Sequence, residues 1–227
     1  MINKVMIDES FLTITSEHIS LVSPIRLKSL SSAICGAGFG WHSVFINRHV
    51  DKSYNNPNHV TDMETYIKQL NYNLEDSVGM MTAVKMENVT FQYYDADQFS
   101  LFVVITAGVG NAVDSTAGES LYKTNDIGTI NTWIFVNGKL SDEAFVQAVM
   151  TATEAKTKAL HELEIIDPVS KTIATGTSTD SILIAATQKG AAFRYAGTAT
   201  PLGKLIGKSV YELTKKAIIQ SKANIDK

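Results

Sequence analysis

The sequence predicts an α+β fold: a mixed, mainly antiparallel sheet or sheets with helices packed against them, in a single domain. Two observations carry this. Strand-like segments outnumber helical ones, and many neighbouring strands have no helix between them, unlike a doubly wound parallel sheet. No repeat, low-complexity tract or linker marks a boundary within residues 1–227.

The elements follow in order. Residues 11–16 and 19–22 alternate apolar with polar, and Ser16-Glu17-His18 between them suits a hairpin turn. Residues 30–34 and 41–50 read as two further strands, separated by CGAGFG. YNNPNH is loop by composition. Thr61 with Glu64 three residues on has the pattern of a capping box, predicting a helix on Met63, Ile67, Leu70 and Leu74. Strands are predicted at 78–84, 89–94 and 100–106, the last running into TAGVGNA. A polar, glycine-punctuated stretch then leads to TINTWIFV (129–136), closed by Asn137-Gly138. Ser141 caps a long helix whose first turn carries Asp142 and Glu143, as the helix dipole favours, and which ends before Pro168. Residues 181–186 form a strand, and 202–221 a final helix with Ile206, Val210, Leu213 and Ala217 on one face.

Composition narrows the function classes. Hydrophobic content of 44% and charged content of 19% are ordinary for a globular chain. A net charge of −3 and a pI near 5.9 leave no electrostatic footprint for nucleic acid or an anionic membrane. Cys35 is the only cysteine, so no internal disulfide forms and a reducing compartment fits. Asp8 and Glu9 interrupt any signal-peptide core, and LFVVI is far shorter than the about 20 residues that cross a bilayer. A cytoplasmic protein is expected.

Several segments bear on chemistry. CGAGFG resembles a dinucleotide loop, but a strand follows it where the fingerprint needs a helix N-terminus, and Cys35 reads as packing rather than nucleophile. In WHSVFINRHV, His42 and His49 are an odd number of residues apart and point to opposite faces. Asn47 and His49 share a face and can converge on one ligand, His49 as general base or donor. No zinc-ligand spacing occurs, so no metal site is predicted. In TAGVGNA, Gly108 and Gly110 permit close backbone approach, and Thr106 and Asn111 flank them with polar groups; an anion or carbonyl oxygen suits such a turn. Along the helix from Ser141, at about 100° per residue, Phe145, Val149, Ala152, Ala159 and Leu163 form one apolar stripe. Lys156 falls inside that stripe and Glu154 on the opposite side. A lysine there snorkels, pairs with an acid or serves a site.

IATGTSTDSILIA (173–185) is the densest polar signal. It lacks the lysine and spaced glycines of a P-loop. If extended, Thr175, Thr177 and Thr179 align their hydroxyls on one side, and Asp180 stands at the start of an apolar strand, where an acid is costly unless hydrogen-bonded or poised for work. The segment is predicted to face a ligand.

Taken together, SSAICGAGFGW, TAGVGNA, the TIN–FVN–LS–AF series, TATEAKTKAL, ATGTSTDSILIA and YAGTATPLGKLIGKSVYE resemble the adenosylcobinamide amidohydrolase family of corrinoid salvage, in one order over roughly residues 26–214. The pairing of ATEAK with ATGT–TD is the most specific part. The resemblance implies hydrolysis of the amide joining aminopropanol to the corrin ring, giving adenosylcobyric acid and 1-amino-2-propanol. Its substrate is a small-molecule corrinoid. No cofactor is implied beyond the substrate's own cobalt, and no nucleic acid or membrane partner. Such a reaction needs a base, an oxyanion stabiliser and an acid. The candidates are Asp180 or His49 as base, N–H groups of Gly108 to Asn111 as oxyanion donors, and Lys156 as proton source or charge stabiliser, with Glu154 a further ionisable group. Thr177 or Thr179 as nucleophile rivals direct attack by water. Asn47, Thr106, Gly108, Gly110, Asn111, Asn131 and Gly176 are the substrate-binding candidates, and Phe39, Trp41 and Trp133 the apolar lining for the macrocycle. A corrinoid carrier of the same fold without turnover is the competing class. No feature sets an oligomeric state.

Overall fold

The structure, a computed structural model, describes residues 5–118 and 128–223; residues 119–127, in the polar stretch before the TINTWIFV strand, lie outside the described residues. Twelve strands and three helices alternate unevenly among the described residues. They are β1 (Leu12–Ile14), β2 (His18–Ser31), β3 (Gly38–His49), α1 (His59–Gln69), β4 (Ser77–Thr82), β5 (Thr90–Ala96), β6 (Phe99–Ala107), β7 (Ala112–Val113), β8 (Ile130–Asn137), β9 (Lys139–Leu140), α2 (Asp142–Glu162), β10 (Gly176–Thr177), β11 (Ser181–Ala186), β12 (Ala192–Phe193) and α3 (Pro201–Ala223). The main sheet runs β4-β3-β2-β11-β8-β6-β5, with β1 paired to β2. Its joints are antiparallel except β3–β4 and β11–β8, so the mixed, mainly antiparallel α+β architecture is as predicted.

The long strand β2 organises the sheet. The 30–34 segment is not a separate strand; its first residues complete β2, which continues through Pro24. Proline cannot donate to a ladder, and the β2–β3 register duly shifts between Val22 and Leu27. Ser23 fills the irregularity by donating its Oγ to Ile25 O at 2.6 Å. With β2 bent there, β3 and β4 fold over β8 and β6. Phe45 meets Phe135 at 5.1 Å between ring centroids, and Trp133 Nε1 donates to Met80 Sδ at 3.3 Å.

Both faces of the sheet are therefore buried, which explains why β6 and β8 read as almost unbroken apolar runs. The inner layer holds Leu21, Phe45, Met80, Phe102, Trp133 and Leu183. On the outer face Val103, Ile105, Ile134 and Ile184 pack against Phe145, Ala148 and Ala152 of α2 and Ile206, Val210 and Leu213 of α3. Helix α1 sets Met63 and Ile67 on Val44 and Ile46. It starts earlier than predicted, with Asn58 at its N-cap and Thr61 within it, and ends before Leu74. Ser141 caps α2 as expected, accepting from Ala144 N at 3.2 Å. CGAGFG runs into β3 instead of opening a helix, so the strand–loop–helix unit that the dinucleotide fingerprint requires is absent. Gly36, at φ 72°, has to be glycine: a Cβ would stand 2.5 Å from Ser77 O.

Candidate active site

The apolar run of β11 begins immediately after Asp180, which places that carboxylate beside the start of the parallel neighbour β8. Its Oδ1 accepts from Ile130 N at 3.0 Å and from the Thr177 hydroxyl. Its Oδ2 accepts from Thr177 N at 3.1 Å and from Lys156 Nζ, reaching down from α2. The lysine inside the apolar stripe thus has an acid partner. The side chains are 15% and 18% exposed, so the pair is shielded but open to solvent on one side. Gly176 makes the close approach possible: a Cβ there would lie 2.6 Å from Asp180 Oδ2 and 2.8 Å from Lys156 Nζ.

A pocket of about 120 Å³ opens beside this pair, between α2 and the first residues of β8 and β11. Thr132, Ala152, Lys156, Asp180, Ser181 and Ile182 line it. Thr132 and Ser181 were not singled out from the sequence. A threonine among the helix-facing isoleucines of TINTWIFV was the available signal for the first.

A buried polar network wraps round the start of β8 to the inner face. Thr129 Oγ1 lies within hydrogen-bond distance of Thr179 O (2.9 Å) and Asn131 Oδ1 (3.2 Å). Asn131 Nδ2 donates to Asn47 Oδ1 and Met81 O, each at 2.8 Å, and Asn47 Nδ2 donates to Thr106 Oγ1 at 2.9 Å. These amides and hydroxyls satisfy one another in the interior and brace the end of the sheet that carries Asp180. None of Asn47, Thr106 and Asn131 lines the Lys156–Asp180 pocket.

The remaining candidates divide. The three threonines do not form a ligand-facing row. Thr175 Oγ1 accepts from Ser115 N at 3.0 Å, Thr177 turns to Asp180, and Thr179 Oγ1 donates to Gly128 O at 2.9 Å. Neither Thr177 nor Thr179 lines the pocket. Gly108 N donates to Thr129 O at 2.9 Å, which removes it as a free oxyanion donor. Gly108 serves packing, since a Cβ there would lie 2.9 Å from Val84 Cγ2, and the turn closes on Gly128, where a Cβ would lie 2.5 Å from Gly108 O and 2.8 Å from Gly110 N. Asn111 Nδ2 donates to Ser178 Oγ at 2.7 Å, bracing the turn before Asp180. His49 Nδ1 sits 3.1 Å from Val84 O at the far end of β3, outside the pocket. Glu154 is exposed on α2 and also outside it. Trp133, 2% exposed, belongs to the inner core and cannot line a substrate surface, whereas Phe39 and Trp41 are half-exposed on the helix side of β3, Phe39 against Phe145 at 5.6 Å.

Electrostatics bear out the packing role of Cys35: burial, then the Glu64 charge, pushes its thiol up to about 11. Asp167 and Asp114 pin the chain entering β10. Burial would raise Asp167, but N–H groups of Asp114 (3.0 Å) and Val169 (2.8 Å), joined by Ser170, hold it below the usual range. Asp114 is held low chiefly by the Thr172 hydroxyl, then by Thr116. Among the described residues no group of three His, Cys, Asp or Glu side chains could hold a metal ion, and no helix is long and apolar enough to cross a membrane.

The chain is similar in sequence to known proteins. The chain is 32% identical over 171 residues to the uncharacterized protein MJ1613 of Methanocaldococcus jannaschii, covering 67% of this chain and 65% of that protein. It is 32% identical over 151 residues to the adenosylcobinamide amidohydrolase of Methanosarcina mazei, covering 63% and 66%. It is also 24% identical over 209 residues to the uncharacterized ABC transporter ATP-binding protein YvrA of Bacillus subtilis, covering 92% of this chain but 38% of that one. The chain therefore spans less than two thirds of the length of each of these relatives. The family pattern described as CbiZ, adenosylcobinamide amidohydrolase, matches residues 4–225, nearly the whole chain, and the chain belongs to that family.

Proposed function

We propose that this chain hydrolyses the amide between aminopropanol and the corrin ring of adenosylcobinamide, releasing adenosylcobyric acid and 1-amino-2-propanol. The observation that supports it most directly is the Lys156–Asp180 pair on the wall of an open pocket. At about 120 Å³ the pocket suits an amide arm and falls short of the roughly 300–1,000 Å³ of sites that bury a whole ligand. The corrin rests outside it.

Asp180 already accepts four hydrogen bonds, about the full capacity of a carboxylate. Substrate changes this. As the Lys156 ammonium turns to the amide carbonyl oxygen, Asp180 Oδ2 is released to take a proton from water. The water oxygen attacks the carbonyl carbon, and the Lys156 charge stabilises the oxyanion. The C–N bond then breaks as the proton passes from Asp180 to the leaving nitrogen, giving the acid and the amine. Water is the nucleophile in this reading; the Thr177 hydroxyl, which donates to Asp180 Oδ1, is the rival, whereas Thr179 Oγ1 is turned to Gly128 O. Cobalt enters only as part of the substrate. Incubation of the purified protein with adenosylcobinamide, followed by mass spectrometry, tests the assignment: both products are expected, and tight binding without cobyric acid would indicate a carrier.

A further inference from the structure

Thr132 occupies an anomalous place on the helix-facing side of β8. Its neighbours along the strand on that side are Ile130 and Ile134, and across the sheet it pairs with Ile105 on one side and Ile182 on the other. Four isoleucines thus surround a hydroxyl in a residue only 4% exposed. An unpaired hydroxyl in such a place costs stability that valine, of the same shape, would not.

No hydrogen bond satisfies this hydroxyl among the described residues, yet it is not among the side-chain oxygens sealed from solvent without a partner. The residue lines the Lys156–Asp180 pocket, so the hydroxyl opens there. The other pocket hydroxyls lack this combination. Thr153 Oγ1 donates to Val149 O of its own helix at 2.8 Å, and Ser181 is exposed enough for water to serve it.

Resting on the hydrolase reading above, we propose that Thr132 is a substrate-contacting residue whose hydroxyl donates to the amide carbonyl oxygen, sharing with Lys156 the charge that develops there. Of the backbone donors expected in the TAGVGNA turn, Gly108 N is already engaged by Thr129 O.

The test compares wild type, Thr132→Val and Thr132→Ser with adenosylcobinamide as substrate, reading kcat, KM and Tm. Thr132→Val should lower kcat/KM at least tenfold, mainly through kcat, because the lost bond strengthens as the oxyanion forms. Its Tm should match or exceed that of wild type. Thr132→Ser, which keeps the hydroxyl, should stay within about threefold of wild type. A Thr132→Val enzyme within twofold of wild type overturns the proposal, as does an equal loss in Thr132→Ser, which would point to packing. If wild type itself releases no aminopropanol, the hydrolase assignment fails first and Thr132 loses its role with it.

Discussion

Replacing Asp180 with asparagine keeps the shape and exchanges one oxygen for an amide nitrogen. In the native site Oδ1 accepts from Ile130 N and the Thr177 hydroxyl, while Oδ2 accepts from Thr177 N and Lys156. Whichever way the asparagine turns, its NH₂ faces two donors, and two of the four bonds are lost. Hydrogen bonds to a charged group contribute about 1.5–3 kcal/mol each. Taking the lower end because the pair is partly open to solvent, the expected loss is about 2–4 kcal/mol. At about 2–4 °C per kcal/mol for a chain of this size, Tm should fall by roughly 5–15 °C. Lys156→Met removes one donor and leaves Asp180 its other three, so its Tm should fall by only a few degrees. Both variants should lose about 10²-fold or more in kcat. Calorimetry and product release measured on both proteins decide the matter. An Asp180→Asn protein that melts with wild type, or turns over near its rate, refutes the role given to the four-donor carboxylate.

Three other outcomes are expected. Gly176→Ala places a methyl 2.6 Å from Asp180 Oδ2 and 2.8 Å from Lys156 Nζ; the lysine can swing away but the carboxylate is held by four donors, so Tm should fall by a few degrees and kcat by up to about 10²-fold for a displacement near 1 Å. Asp114 and Asp167 are held below their unfolded values, so their contribution is complete above the unfolded carboxylate pKa of about 3.9 and is lost as pH falls through the lower folded values. Urea midpoints measured from pH 6 down to pH 2 should therefore drop most steeply below about pH 4, and less steeply in Asp167→Asn. With its thiol at about 11, Cys35 in the folded protein should react with iodoacetamide at pH 8 on the order of 10²-fold slower than in the unfolded chain; equal rates would remove the buried-thiol account.

The elements that set up the site are those whose local pattern agrees with their tertiary surroundings. Periodicity places Lys156 on the core face of α2, and the apolar run after Asp180 is β11 over the predicted residues. Their meeting depends on β8 and β11 lying side by side, a pairing no local pattern carries. The contact that buries Trp133 is equally non-local, since Met80, which its Nε1 meets, comes from β4. The threonine row of ATGTSTD misled because hydroxyls choose partners from distant segments, here Ser115 and Gly128. His49 and Glu154 do not line the pocket; an ionisable group at a strand end or on a helix's solvent face carries no information in the sequence about the cavity it faces. Thr132 is legible as a hydroxyl interrupting the isoleucines of the helix-facing side of TINTWIFV.

The proposed cleavage of an amide in the Lys156–Asp180 pocket has a direct test. Release of 1-amino-2-propanol from saturating adenosylcobinamide by wild type and Lys156→Met, with corrinoid binding followed in parallel, measures it most directly. Binding within a few-fold of wild type and a turnover number lower by about 10²-fold or more is the predicted result. A Lys156→Met protein that releases the amine as fast as wild type would contradict it.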